Sequence, residues 1–156
     1  MTLNPNWYLN ATGQFQQIGS GQIGISTTTS TAFLTSVSNF TVADISITNT
    51  SYTDGPSVAQ GTTGVWYASG SITFTDGVGA ANVSGILWDG QTIVASGNVN
   101  INAATAMRTM SLSGIFTNPS TNIKISALNQ TRAAGLLKNT VSGSSRDCSL
   151  YAIRIG

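Results

Sequence analysis

The stretch Gly64-Val65-Trp66-Tyr67-Ala68-Ser69-Gly70-Ser71-Ile72-Thr73-Phe74-Thr75-Asp76-Gly77 alternates by side-chain character. Trp66, Ala68, Ile72 and Phe74 share one parity, while Tyr67, Ser69, Ser71, Thr73 and Thr75 share the other. Successive side chains of a strand point to opposite faces, so this is a long half-buried strand with Trp66 and Phe74 in a core. Asp76-Gly77 closes it with residues that tolerate the backbone angles of tight turns.

The same period continues on both sides. Upstream, Ala43, Ile45 and Ile47 alternate with Asp44, Ser46 and Thr48, and this stretch is expected to stop near Asp54-Gly55-Pro56. Downstream, Val83 to Trp88 forms a run that Asp89-Gly90 turns into Ile93, Ala95, Val99 and Ile101. Two successive Asp-Gly turns read as a meander. Met110, Leu112 and Phe116 alternate with Ser111, Ser113 and Thr117 before Asn118-Pro119-Ser120. Ile123, Ile125 and Ala127 follow across Lys124 and Ser126, and Tyr151, Ile153 and Ile155 end the chain across Ala152 and Arg154. The one longer loop, Thr131 to Arg146, contains the only piece with a helical period, Ala133-Ala134-Gly135-Leu136-Leu137. The expected fold is all-β: an antiparallel β-sandwich, a jelly roll of about eight strands, with the last strand central in a sheet.

Composition agrees. Only 11 of 156 residues are charged, there is no His and no Glu, and 62 residues are Ser, Thr, Asn or Gln. Ordinary domains carry roughly a quarter charged residues. Low charge with 40% apolar content excludes a disordered chain. No run approaches the roughly 18 apolar residues of a membrane span, so no membrane partner is expected, and the start carries no visible export signal. Residues 1–107 hold four Asp and no cation, whereas 108–156 hold all six Lys and Arg against Asp147 alone. Strands that interleave along the sequence mix these halves in space, so no nucleic-acid patch is expected.

The first thirty residues differ. Trp7, Tyr8 and Phe15 are spaced among Asn, Gln and Gly, and Ser26 to Thr31 has no apolar member. Such a segment has too little apolar material for a core of its own. Residues 1–30 therefore read as an extended N-terminal arm or anchor, with Trp7, Tyr8 and Phe15 as candidate partner-binding residues, and 31–156 as the head. An added first strand of the main domain is the alternative.

Catalytic constellations are missing. Without His, a Ser nucleophile would need Lys124 or Lys138 as base, and Lys124 falls on the polar parity of its strand. Cys148 has Arg146 near in sequence but no base partner. Gly19-Ser20-Gly21-Gln22-Ile23-Gly24 matches a dinucleotide fingerprint formally, yet Ser26 to Thr29 after it is poor helix material, and that fingerprint needs a helix N-terminus. Asp54, Asp76 and Asp89 each precede Gly, which is the turn signature rather than a metal site. No enzymatic activity, cofactor or metal is expected.

Gly64, Trp66, Gly70, Ile72 and Phe74 form a G-x-[YW]-x-x-x-G-x-[VI]-x-[FL] strand that resembles those of trimeric jelly rolls related to the complement globular head and tumour necrosis factor. Residues 81–96, 111–127 and 142–155 resemble the matching parts of small bacteriophage virion proteins with this fold. The resemblance implies a homotrimer located in the virion, as a capsid decoration, head fibre or tail-fibre tip, attached to the capsid or another virion protein by the N-terminal arm. The rival reading is a tail-fibre receptor-binding module that recognises a host cell-surface glycan, for instance through the 131–146 loop.

Overall fold

Strand formation follows the period-two pattern throughout. The computed structural model describes residues 35–40, 43–139 and 147–156, and the backbone alone of 7–9 and 15–17. The chain divides into two units, Met1–Phe33 and Leu34–Gly156. In the first, β1 (Trp7–Leu9) pairs antiparallel with β2 (Phe15–Gln17), Leu9 opposite Phe15. The second holds β3 (Ser36–Phe40), β4 (Ile45–Ile47), β5 (Thr53–Val58), β6 (Val65–Asp76), β7 (Ala81–Trp88), β8 (Ile93–Ile101), β9 (Met107–Thr117), β10 (Ile123–Asn129), β11 (Gly135–Leu137) and β12 (Ser149–Arg154).

The second unit is an antiparallel β-sandwich of the jelly-roll kind. One sheet has the order β5-β10-β7-β8. The other is built on β6, whose 12 residues are paired along both edges. One edge is taken by β9 from Val65 opposite Thr117 to Thr75 opposite Met107. The second edge is shared by β12, along Trp66–Ser71, and β11, along Phe74–Asp76. Outside these lie β3 and β4. Eight longer strands and the short β4 and β11 make ten. Ile72, Phe74, Val83, Leu87, Ile123, Ile125, Leu137 and Ala152 are fully buried between the sheets, and Trp66 is 3% exposed. The expected core residues Trp66 and Phe74 are therefore where the alternation put them.

Three local expectations are corrected. Asp54-Gly55-Pro56 lies inside β5 instead of ending a strand. Ser57 faces Lys124 and Asp54 faces Ser126, so Gly55 and Pro56 together oppose Ile125 in a bulge. An edge strand tolerates Pro there because no further neighbour requires its N–H. Second, only Asp89-Gly90 makes a hairpin, between β7 and β8, with Gly90 at φ 89°. Asp76-Gly77 instead carries the chain from one sheet to the other, since β6 and β7 do not pair. Third, the piece with a helical period is β11, whose Gly135 packs so close to Ile47 that a Cβ would stand 2.6 Å from Ile47 Cγ1.

The two Asp-Gly pairs anchor opposite ends of the sandwich. The Asp76 carboxylate, 0% exposed, accepts from Val78 N at 2.8 Å, Gly79 N at 3.2 Å, Asn129 Nδ2 at 2.9 Å and Arg132 Nη1 at 3.2 Å. At the other end Asp89 accepts from Thr92 N and Ser120 N, both at 2.7 Å, and Gln91 N at 3.1 Å. Burial opposes ionisation of each, but these donors outweigh it and hold both carboxyls below the ordinary value of 3.8.

Lowered folded-state values mean that these groups stabilise the fold above the ordinary carboxylate range and that this contribution is lost as pH falls through the lowered values. Thermal melts are expected to be flat from about pH 8 to 5 and to drop below about pH 4, and Asp76→Asn is expected to cost about 2–3 kcal/mol and make the acid limb shallower. Gly70→Val places a Cβ 2.7 Å from the Ser149 backbone oxygen and is expected to cost about 2 kcal/mol in urea unfolding.

Candidate functional site

Alternation that buries one row of β6 must expose the other. The outward residues of β9, β6, β12 and β3 line up in rows across the sheet. Ile115, Tyr67, Ile153 and Ser36 form one row. Ser113, Ser69, Tyr151 and Ser38 form the next, and Ser111, Ser71, Ser149 and Phe40 the third. Beyond Tyr67, Val65 lies beside Thr117 on β9 and Ile155, whose N–H donates to the Val65 carbonyl at 2.8 Å. None of these side chains is charged. Ile115 is 57% exposed, Ile155 50%, Tyr151 41% and Tyr67 39%.

The face is graded. Tyr67, Ile115, Ile153 and Ile155 cluster at the Val65 end, and hydroxyls predominate towards the Thr73 end, where Thr73 and Thr109 share a 2.8 Å hydrogen bond and Phe40 and Met107 are the exposed apolar side chains. Its flank is apolar too. β8 and β9 are edge strands of their respective sheets, and Ile93 on β8 is 53% exposed. Gly114 lets the two strands approach closely there, since a Cβ would stand 2.7 Å from Val94 Cγ2.

This face corrects the reading of the last strand. Tyr151, Ile153 and Ile155 form its larger apolar set, yet Leu150 at 1% and Ala152 at 0% exposure are the inward pair. β12 lies between β3 and β6 as expected, and Ala152 stands directly beside buried Ala68, where larger inward side chains have no room. The sequence signal was present in Tyr67, a large aromatic on an otherwise hydroxylic parity.

Other named residues have structural partners. Lys124 Nζ lies 2.8 Å from Asp54 Oδ2 and 4.7 Å over the Trp88 ring. Trp88 is half-buried on the outward face of the second sheet, and its Nε1 donates to Ser126 Oγ at 2.7 Å. Lys138 pairs with Asp44. Among the described residues no three His, Cys, Asp or Glu come together as a metal site. Trp7, Tyr8 and Phe15 stand in the β1–β2 pair, but their side chains lie outside what the structure describes, as do Gly19 to Gly24, Arg146 and the 140–146 part of the long loop.

No protein-family model matches the chain, and no curated protein resembles it in sequence. Solved structures do. The chain is similar to the Eiger TNF of S. frugiperda with a TM-score of 0.54, over 79% of this chain and 93% of that one, at 6% identity. Weaker likenesses include the PRD1 vertex protein P5, with a TM-score of 0.35 at 14% identity over 78% of this chain and 95% of that one. Another is a carbohydrate-binding module of Cellvibrio mixtus lichenase 5A, with a TM-score of 0.31 at 10% identity over 79% and 98%. The first shares the jelly-roll fold; the other two are too distant in shape to bear on function.

Cys148 is sealed beneath this sheet at 0% exposure, with its Sγ 3.2 Å from the Lys138 carbonyl. Burial pushes its thiol up to about 11, against a hydrogen bond from the Thr73 amide and with the negative charges of Asp147 and Asp44 adding to the rise. A thiol-disulfide reagent is therefore expected to leave the native protein unmodified at pH 8 and to titrate one thiol after unfolding.

Proposed function

We propose that this chain is a non-enzymatic structural protein of a bacteriophage virion whose head assembles as a homotrimer and whose residues 1–30 attach it to the capsid. The observation that carries the reading is the uncharged outward face of β9, β6, β12 and β3, with Tyr67, Ile115, Tyr151 and Ile155 exposed and Ile153 half-buried on it. Apolar groups of this size gathered on one face of a soluble domain mark a contact surface. An assembly of identical chains brings equal charges together around its axis, and a face without charge avoids both that repulsion and the cost of stripping water from ions.

The geometry favours a ring. A face on one side of the sandwich and an apolar flank at its edge, Ile93 with Ile115, permit the flank of one copy to dock on the Tyr67–Ile153 rows of the next. A head-to-tail contact makes a ring when its rotation closes and a filament when it does not, and three copies is the closure implied by the jelly rolls that the β6 motif resembles. The uncharged hydroxyl surface elsewhere keeps such a particle in solution. Trp7, Tyr8 and Phe15 supply the attachment anchors, since aromatic side chains dominate the energetics of contacts between proteins.

Light scattering on the purified chain is expected to give a mass of three 16.1 kDa chains, and Tyr67→Arg and Ile115→Arg to give monomers that keep the parent's circular dichroism spectrum. Removing residues 1–30 is expected to leave a soluble trimer that no longer decorates capsids. A monomeric parent chain would overturn the assembly reading, and a truncated head that still binds capsids would overturn the role of the arm.

A further inference from the structure

The end of the head remote from Val65 is closed by loops 77–80, 102–106 and 130–134, which converge on Asp76. Thr105 N donates to the Asp76 carbonyl at 2.8 Å, and Arg132 Nη2 donates to the Ala80 carbonyl at 2.9 Å. These loops contain no acidic residue of their own, and the Asp76 carboxylate beneath them is buried and fully engaged. Arg132 is balanced by Asp76, so the cation at this end without an ion-pair partner among the described residues is Arg108.

Arg108 stands at the start of β9 beside these loops. Its Nη1 donates to the Met107 carbonyl at 3.0 Å and its Nη2 to Asn102 Oδ1 at 3.1 Å. Among the described residues no carboxylate lies within ion-pair reach of it. A guanidinium carries five N–H donors, so two hold the fork in place and three remain open for an incoming anion.

Two further features sit in the same loops. Thr105 has φ 61°, a left-handed conformation that β-branched residues rarely adopt and that in folded proteins concentrates at binding sites. Val78 is 68% exposed, the most exposed large apolar side chain described. A pre-held guanidinium, a constrained hydroxyl-bearing loop and an exposed aliphatic group form one surface.

We infer that this loop cluster binds an anionic saccharide, a sugar bearing a carboxylate or a phosphate. Arg108 clamps the anion, Asn102 and Thr105 meet ring hydroxyls, and Val78 covers an apolar patch of the sugar. A nucleic acid fits less well, because the loops offer no aromatic for bases to stack on and too few cations to follow a phosphate backbone. The site lies away from the apolar rows around Val65 and Tyr67, so it stays open when copies associate and does not depend on the proposed assembly.

The test is an amide chemical-shift titration of the full-length protein with sialyllactose and mannose phosphate as the carboxylate and phosphate probes, and lactose and mannose as neutral ones. At least one charged probe is expected to shift amides of 77–80 and 102–108 with a Kd of about a millimolar, and the arm that responds names the anion. Arg108→Gln is expected to weaken it about tenfold, with Arg154→Gln at the opposite end leaving it unchanged. Tyr67→Arg is expected to keep the same loop shifts, which separates this site from the assembly face. Equal response to neutral sugars, shifts outside these loops, no shift with either charged probe, or undiminished binding by Arg108→Gln would each overturn the inference.

Discussion

The second unit depends on β6 being paired along both edges. With β9 along Val65–Thr75 on one side, β12 along Trp66–Ser71 and β11 along Phe74–Asp76 on the other, and Thr73 held between them by Cys148 Sγ and the Lys138 amide, its position in the sheet is fixed. Its two faces are then assigned as well. Trp66, Ala68, Ile72 and Phe74 enter the space between the sheets, and Tyr67, Ser69 and Ser71 are turned out. Every neighbour inherits that assignment through register, because a shift by one residue would exchange the buried and exposed rows. Met110, Leu112 and Phe116 of β9, and Leu150 and Ala152 of β12, are inward for this reason.

The same register produces the uncharged outward face. Since β9, β6, β12 and β3 share one outward parity, exposed residues from four separate stretches of sequence fall into rows. Charge is placed elsewhere. Lys124 pairs with Asp54 on the other sheet, Lys138 with Asp44, and Arg132 with Asp76 at the far end. Six of the 11 charged residues are thus paired within the domain, and the outward rows of β9, β6, β12 and β3 carry none. The far end is the exception, with Arg108 held by neutral acceptors beside a strained Thr105.

The buried carboxylates show how turn residues take on tertiary work. Asp76 and Asp89 both precede Gly and both cap their own turns by accepting from amides two and three residues on. Each then bonds a distant segment as well: Asn129 and Arg132 in one case, Ser120 in the other. A carboxylate with that many donors is stable inside the protein only while the separate loops stay together, so each turn is tied to the closure of its end of the sandwich.

Strand periodicity was legible wherever alternation was long and one-sided: the cores of β6, β7, β9 and β10 follow from residue type alone, because burying an apolar row is the dominant driving force. The all-β class followed from abundant β-branched residues, few charges and repeated turn pairs. With no His and no Glu, the sequence offers few of the residue types from which catalytic and metal sites are most often built. What the sequence could not rank was which of two apolar parities faces inward in β12, whether an Asp-Gly pair turns within a sheet or between sheets, and whether Pro56 interrupts a strand or sits at its edge. Those outcomes depend on neighbours far away in the chain: Ala68 beside Ala152, Asn129 and Arg132 around Asp76, and β5 bulging against β10. Local pattern determined the elements; only the pairing of distant strands decided which of their faces met the core and which met solvent.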